Sequence, residues 1–191
     1  MWLMAAARLT LRRLHSRVRI LCLCALLLAG PRSAFGVSDT DLKAAYLANF
    51  AALVSWPSSA FDSPQAPIVI GVVGDDSVAD QIERRLGNRR AKGRPIVVRR
   101  VSVNDGGAMR ECHVLYVANV DRGRLDLVLR EVQGAPVLTV SDADNFVRRG
   151  GIIAFEMQDA TVRFTANNRS AINSGIMLGS DVLRLAREVI R

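Results

Sequence analysis

Residues 136–167 read PVLTVSDADNFVRRGGIIAFEMQDATVRFTAN. Val137, Leu138, Thr139 and Val140 make a short apolar, β-branched run, the pattern of a buried strand. Ser141-Asp142 ends it, and Asp144 to Arg149 predicts one helical turn with Phe146 and Val147 as its apolar contacts. Gly150-Gly151 stops that turn, because glycine takes a left-handed cap at no steric cost. Ile152 to Phe155 is a second buried strand. Gln158-Asp159-Ala160 is a turn, and Thr161 to Thr165 alternates polar with apolar residues, as a half-solvated hairpin partner does.

The same alternation extends in both directions. Ser38 to Asp41 (SDTD) is a capping box, and the helix it opens is predicted to run to about Val54. Leu42, Tyr46, Asn49 or Phe50, and Leu53 form its inward stripe, and Trp56-Pro57 ends it. Ile68 to Gly74 is apolar without alternation, the mark of a strand covered on both faces. Asp75-Asp76-Ser77 caps a helix over Val78–Leu86. Strands follow at Ile96–Val103, near an edge, and at Val114–Val117; then comes a helix over Leu125–Val132. Beyond the opening stretch, Arg169–Asn173 reads as a short helix. Ser180–Val189 reads as a final helix with Val182, Leu183, Leu185, Ala186 and Val189 inward. Strands alternating with helices at this spacing predict an α/β fold. The expectation is a single three-layer domain, a mostly parallel sheet flanked by helices, with a β-hairpin near the C-terminal half.

Residues 1–36 are read as a leader. Arg8, Arg12, Arg13, Arg17 and Arg19 precede the apolar run ILCLCALLLA of residues 20–29, and Ala34-Phe35-Gly36 offers small residues at −3 and −1. That is a secretory signal peptide with cleavage expected after Gly36, so the domains are 1–36 signal peptide and 37–191 folded domain. The leader holds six of the 26 basic residues and none of the 18 acidic ones, so residues 37–191 carry 20 against 18, a net charge of +2. The basic isoelectric point thus belongs to the leader and gives no reason to expect nucleic acid as a partner. Of the three cysteines, Cys22 and Cys24 lie in the leader. Cys112 is left alone at the head of an apolar strand, which forbids an intramolecular disulfide. It reads first as a buried inert thiol, the alternative being an intermolecular disulfide or a redox-sensing thiol.

Candidate chemistry is sparse. Asp75-Asp76, Asp142 and Asp144 follow strands, where open α/β sheets collect ligands, but helix capping with solvated charge is the commoner role for such residues. His113 is the only histidine after the leader. It neighbours Cys112 on a strand, so the two point to opposite faces and form no dyad. There is no Gly-x-Ser-x-Gly elbow and no second histidine for a zinc site. Gly71-x-x-Gly74 lacks the third glycine of a dinucleotide loop. The cations between Arg84 and Arg100 are a docking patch for an acidic partner or lipid head groups, or a solvated face. Trp56 and Phe61 flank Pro57 as the lip of a groove or as core. No catalytic residue, metal or cofactor is called for.

Several signatures together resemble the YfiR family of periplasmic proteins. They are Leu42-Lys43-Ala44-Ala45-Tyr46-Leu47-x-Asn49-Phe50 with Trp56-Pro57; Gly71-x-x-Gly74-Asp75-Asp76; Cys112-His113-Val114-Leu115; Leu138-Thr139-Val140-Ser141-Asp142; and Phe146-x-x-x-Gly150-Gly151-Ile152-Ile153-x-Phe155. Val162-Arg163-Phe164-x-x-Asn167, Gly175, Ser180, Leu183 and Ala186 complete the set. The resemblance implies an exported, non-enzymatic regulator that binds the periplasmic sensory domain of an inner-membrane diguanylate cyclase and represses it. Cyclic-di-GMP signalling and biofilm formation then fall. It further implies a homodimer, and a peptidoglycan-associated outer-membrane lipoprotein that can sequester the regulator. Some members carry two disulfides; here Cys112 matches one of those cysteines, and its partner and the second pair are absent. Partner-binding surface is expected near Arg163, Asn167 and Arg169, at the groove by Trp56, and at Asp142. The alternative reading is a periplasmic small-ligand sensor acting on another membrane receptor, with Asp75, Asn119 and Asp142 lining its cleft.

Overall fold

A computed structural model describes residues 38–158 and 161–191. The leader and the hairpin residues Asp159 and Ala160 lie outside the described residues. The fold is α/β, a central mostly parallel sheet with helices on both faces. Helix α1 (Asp39–Leu53) begins with the full capping box: Ser38 Oγ accepts from Asp41 N, and the Asp41 carboxylate accepts from Ser38 N. It stops at Leu53, three residues before Trp56, because Val54 turns extended and β1 (Val54–Ser55) pairs with β9 (Met177–Leu178). The predicted stripe also shifts. Ala44, Leu47, Ala48, Phe50 and Ala51 are buried and Asn49 is exposed. Small alanines let the helix lie close on the sheet while Leu42, Tyr46 and Leu53 pack along its flanks.

The main sheet has the order β10-β8-β7-β6-β5-β2-β4-β3. Its strands are β2 (Ile68–Val73), β3 (Arg90–Ala91), β4 (Arg94–Val101), β5 (Val114–Val117), β6 (Leu138–Ser141), β7 (Ile153–Gln158), β8 (Thr161–Asn167) and β10 (Glu188–Ile190). From β4 through β7 all neighbours are parallel; β3 and β8 run antiparallel to theirs, and β10 runs parallel to β8. The chain lays β4 on one side of β2 and β5 on the other, so the direction of winding reverses between β2 and β5.

Burial follows this layout. Ile68, Ile70 and Val72 join α1 and α2 (Asp76–Leu86) in one apolar layer. Val69 and Val73 point the other way, toward α3 (Gly106–Arg110) and α4 (Arg122–Glu131). That is why β2 shows no polar alternation. The turn after β6 narrows to a 3-10 helix, Val147–Arg149, closed by Gly150 at φ 101°. Helix α5 is Asn168–Asn173.

The C-terminal helix is shorter than its sequence suggests. α6 covers only Ser180–Leu185, Leu185 is exposed, and Val189 lies in β10, paired with Ala166 of β8. An edge position beside β8 gives Glu188–Ile190 backbone hydrogen bonds that local helical periodicity could not anticipate.

Candidate functional site

Two sheet edges collect the polar residues that the sequence singles out. At the carboxyl edge, Gly74 (φ 101°) and Asn119 (φ 51°) turn the chain out of β2 and β5 at the reversal point. Asp75 is the N-cap of α2. Its Oδ1 accepts from Ser77 N (2.9 Å), Ser77 Oγ (2.7 Å) and Val78 N (3.2 Å), and its Oδ2 accepts from Asn119 Nδ2 (2.6 Å). The Ser77 and Asn119 hydrogen bonds hold this carboxyl below the usual carboxylate range. Both oxygens are committed to the fold. Asp142, just past β6, makes a separate cluster: Lys43 of α1 reaches it at 2.5 Å, and the Tyr116 hydroxyl lies 3.4 Å away. Burial, and then the Asp142 charge, push the Tyr116 phenol well above its ordinary range. Lys43 was not expected at this edge. The available signal was its isolation: it is the sole Lys or Arg between residues 37 and 83.

The amino edge is aromatic. Trp56 Nε1 donates to the His113 carbonyl (3.1 Å), its ring meets the imidazole edge-on at 5.8 Å, and Phe61 stacks on the imidazole at 4.4 Å. The Arg94 guanidinium lies 3.8 Å from the Phe61 centroid and donates to the Ser63 and Ala66 carbonyls, pinning the loop that carries Phe61. Phe61, Asp62, Arg99, Arg110, Cys112 and His113 are among the residues lining a cavity of about 480 Å³ here. Phe61 lines this cavity; Trp56 does not, and packs against His113 instead.

His113 is 5% exposed. Its Nδ1 accepts from Val69 N (3.2 Å), so in the neutral ring the proton sits on Nε2. Nε2 is the one buried side-chain nitrogen or oxygen without a hydrogen-bond partner among the described residues. Burial depresses the imidazole pKa, and the nearby Arg94 charge reinforces it. Protonation would also set an Nδ1 hydrogen against the Val69 N–H. The folded protein therefore binds this proton less readily than the unfolded chain. The contribution is whole above the unfolded pKa of about 6.5, and stability declines as pH falls below it toward the folded value, by at most about 1.4 kcal/mol per pH unit. Thermal melts between pH 8 and 5 should show that decline, and His113→Gln should flatten it. The depressed carboxyls of Asp75 and Asp126 lose their stabilising effect only below the carboxylate range, so the two windows separate.

Cys112 and His113 lie just before β5, and Cys112 packs with Val101, Leu115 and Met109. Its Sγ donates to the Ala108 carbonyl at 3.2 Å, and burial raises the thiol to about 11, so it is protonated at neutral pH. Ellman's reagent should leave it unmodified in native residues 37–191 at pH 7.5 and titrate one thiol per molecule in denaturant; fast native reaction would contradict this burial.

The remaining expected residues do not converge on these sites. Asn167 N-caps α5, accepting from Ser170 N (2.9 Å) and donating to the Val147 carbonyl (2.9 Å). Arg169 donates to the Arg191 carbonyl. Arg163 is exposed on β8 opposite Glu156, whose carboxylate is taken by Thr165 and Arg187. The basic stretch is largely engaged: Arg85 pairs with Asp41, Arg99 with Glu111, Arg100 with Asp80, and Lys92 donates to the Val54 carbonyl.

A family profile described as YfiR/HmsC-like matches residues 40–187, which take in both edges. The chain belongs to the YfiR/HmsC-like family. Among solved structures, this YfiR-like chain is similar to a conserved domain protein from Vibrio cholerae at a TM-score of 0.57 and 14% identity. The match covers 80% of this chain and 60% of that one. At that identity the likeness shows the fold alone. Among the described residues no group of three or more His, Cys, Asp or Glu could hold a metal ion, and no helix is long and apolar enough to cross a membrane.

Proposed function

We propose that this protein is exported to the periplasm, with its leader cleaved after Gly36, and is a non-enzymatic regulator there. It binds the periplasmic sensory domain of an inner-membrane diguanylate cyclase and represses it, lowering cyclic-di-GMP and biofilm formation. The observation that carries this is the family match over residues 40–187. The surface supports a protein partner. Of the five large hydrophobic residues exposed among the described ones, Ile172, Met177 and Leu185 fall within the C-terminal segment. Large apolar side chains left in water suit a docking face better than a solvated one. A homodimer and sequestration by a peptidoglycan-associated outer-membrane lipoprotein complete the proposal. Binding switches the cyclase by favouring one of its states; driving a two-state equilibrium from one extreme to the other takes about 5.5 kcal/mol of differential affinity.

The test is cellular cyclic-di-GMP with the gene deleted and then restored. A rise on deletion that complementation reverses is the expected result. Unchanged levels, with no binding of the purified protein to any cyclase sensory domain of its own cell, would overturn the proposal.

A further inference from the structure

A second cavity, of about 630 Å³, opens between α4, the Gly150 corner and α5. Its volume is in the range of small-molecule sites. Arg149 is fixed in its wall. Nε donates to Asp126 Oδ1 at 3.0 Å and Nη2 donates to Oδ2, a two-pronged pair that occupies both oxygens of the carboxylate. Arg130, one helical turn beyond Asp126 on α4, also lines the cavity and makes no ion pair or side-chain hydrogen bond among the described residues. Two guanidinium groups thus face one carboxylate, leaving a surplus positive charge.

The rest of the lining sets polar side chains, Thr139, Ser170 and Asn173 among them, beside the aliphatic Leu129, Val132 and Ile152, and contains no aromatic ring. Thr139 is 3% exposed, and its Oγ1 accepts from Ile152 N at 3.0 Å, so its hydroxyl hydrogen remains to be donated. Ser170 and Asn173, three residues apart on α5, share a face and bring side-chain groups that make no hydrogen bond among the described residues. Surplus cation, unspent donors and no stacking surface select against flat aromatic ligands and against cations.

We propose that this cleft binds a small hydroxylated anion, with Arg130 meeting the negative group and Thr139, Ser170 and Asn173 meeting hydroxyls. A sugar acid and a sugar phosphate are two sources of that one chemistry. The site shares α5 with the docking segment but none of its named side chains, and its test uses ligands alone, so it stands or falls separately.

The test is an amide NMR titration of the mature protein with D-glucuronate, D-glucose 6-phosphate and neutral D-glucose. One or both anions should shift Thr139, Gly150 and Ser170–Ser174 saturably, and glucose should not; which anion binds tighter identifies the source. Arg130→Gln should weaken binding about tenfold or more, the scale of a lost charged hydrogen bond, with the melting temperature unchanged because Arg130 is exposed and unpaired. No saturable shift by either anion below about 10 mM, equal binding of glucose, equal competition by sulfate, or unchanged affinity in Arg130→Gln would each overturn the proposal.

Discussion

Phe50→Ala is expected to lower the unfolding free energy by about 3–5 kcal/mol, the range for truncating a buried phenylalanine. Phe50 is 2% exposed. Its ring stacks on Phe155 at 6.0 Å and meets Phe164 edge-on at 5.3 Å, and Tyr46, Phe155 and Tyr116 continue the cluster across β5, β7 and β8. One side chain of α1 therefore touches both strands of the hairpin. Removing it leaves a hole that rigid strand backbones cannot close, so the cavity cost adds to the lost transfer free energy. At this chain size the melting temperature should fall by roughly 6–20 °C. Asn49→Ala, next in sequence and exposed, should stay within about 0.5 kcal/mol. Equal losses in the two variants, measured by urea unfolding of residues 37–191, would refute this placement of α1.

Gly74→Ala is the second large effect, with an expected loss of about 2–5 kcal/mol from backbone strain and overpacking together. Gly74 sits at φ 101°, a conformation L residues avoid. A Cβ built there would also overlap the Ala118 carbonyl oxygen and lie 2.6 Å from Val120 Cγ1. Backbone oxygen cannot swing aside as a side chain can. β2 and β5 would have to separate just where Asp75 meets Asn119, so the carboxyl edge should be disturbed as well as the global stability. Gly87→Ala is the control: Gly87 also has positive φ (51°), yet nothing lies within 4 Å of its added Cβ, so it should cost less. If the two variants lose the same free energy, the close approach at Ala118 is not the cause.

The two stabilising devices differ in how they show in the sequence. Gly74 is visible as the glycine ending an apolar run before Asp75-Asp76, and its role as a strand exit follows from that order. What a Cβ would strike is invisible, because Ala118 comes 44 residues later. The candidate sites divide the same way. Trp56 and Phe61 stand out in the sequence as aromatics around Pro57, and the structure packs both on His113, with Phe61 lining the cavity. The Asp126–Arg149 pair and unpaired Arg130 announce nothing, since each is an ordinary charged residue on a short helix or turn. Arg163, Asn167 and Arg169 share a stretch of chain and no common site, because β8 carries Arg163 away from the α5 end.

Local chemistry determined the capping box at Ser38, the two-faced burial of β2, the helix after Asp75, the Gly150 stop and the β7–β8 hairpin that follows it. Each depends on side-chain periodicity or backbone freedom within a few residues, and together they specify an α/β fold. Tertiary pairing decided the rest. α1 ends at Leu53 because β9 supplies a partner for Val54, and the C-terminal helix ends at Leu185 because β8 offers an edge to Glu188–Ile190. Buried backbone N–H and C=O groups must find partners. When a strand edge lies within reach, its hydrogen bonds outweigh a helical propensity worth only tenths of a kcal/mol per residue.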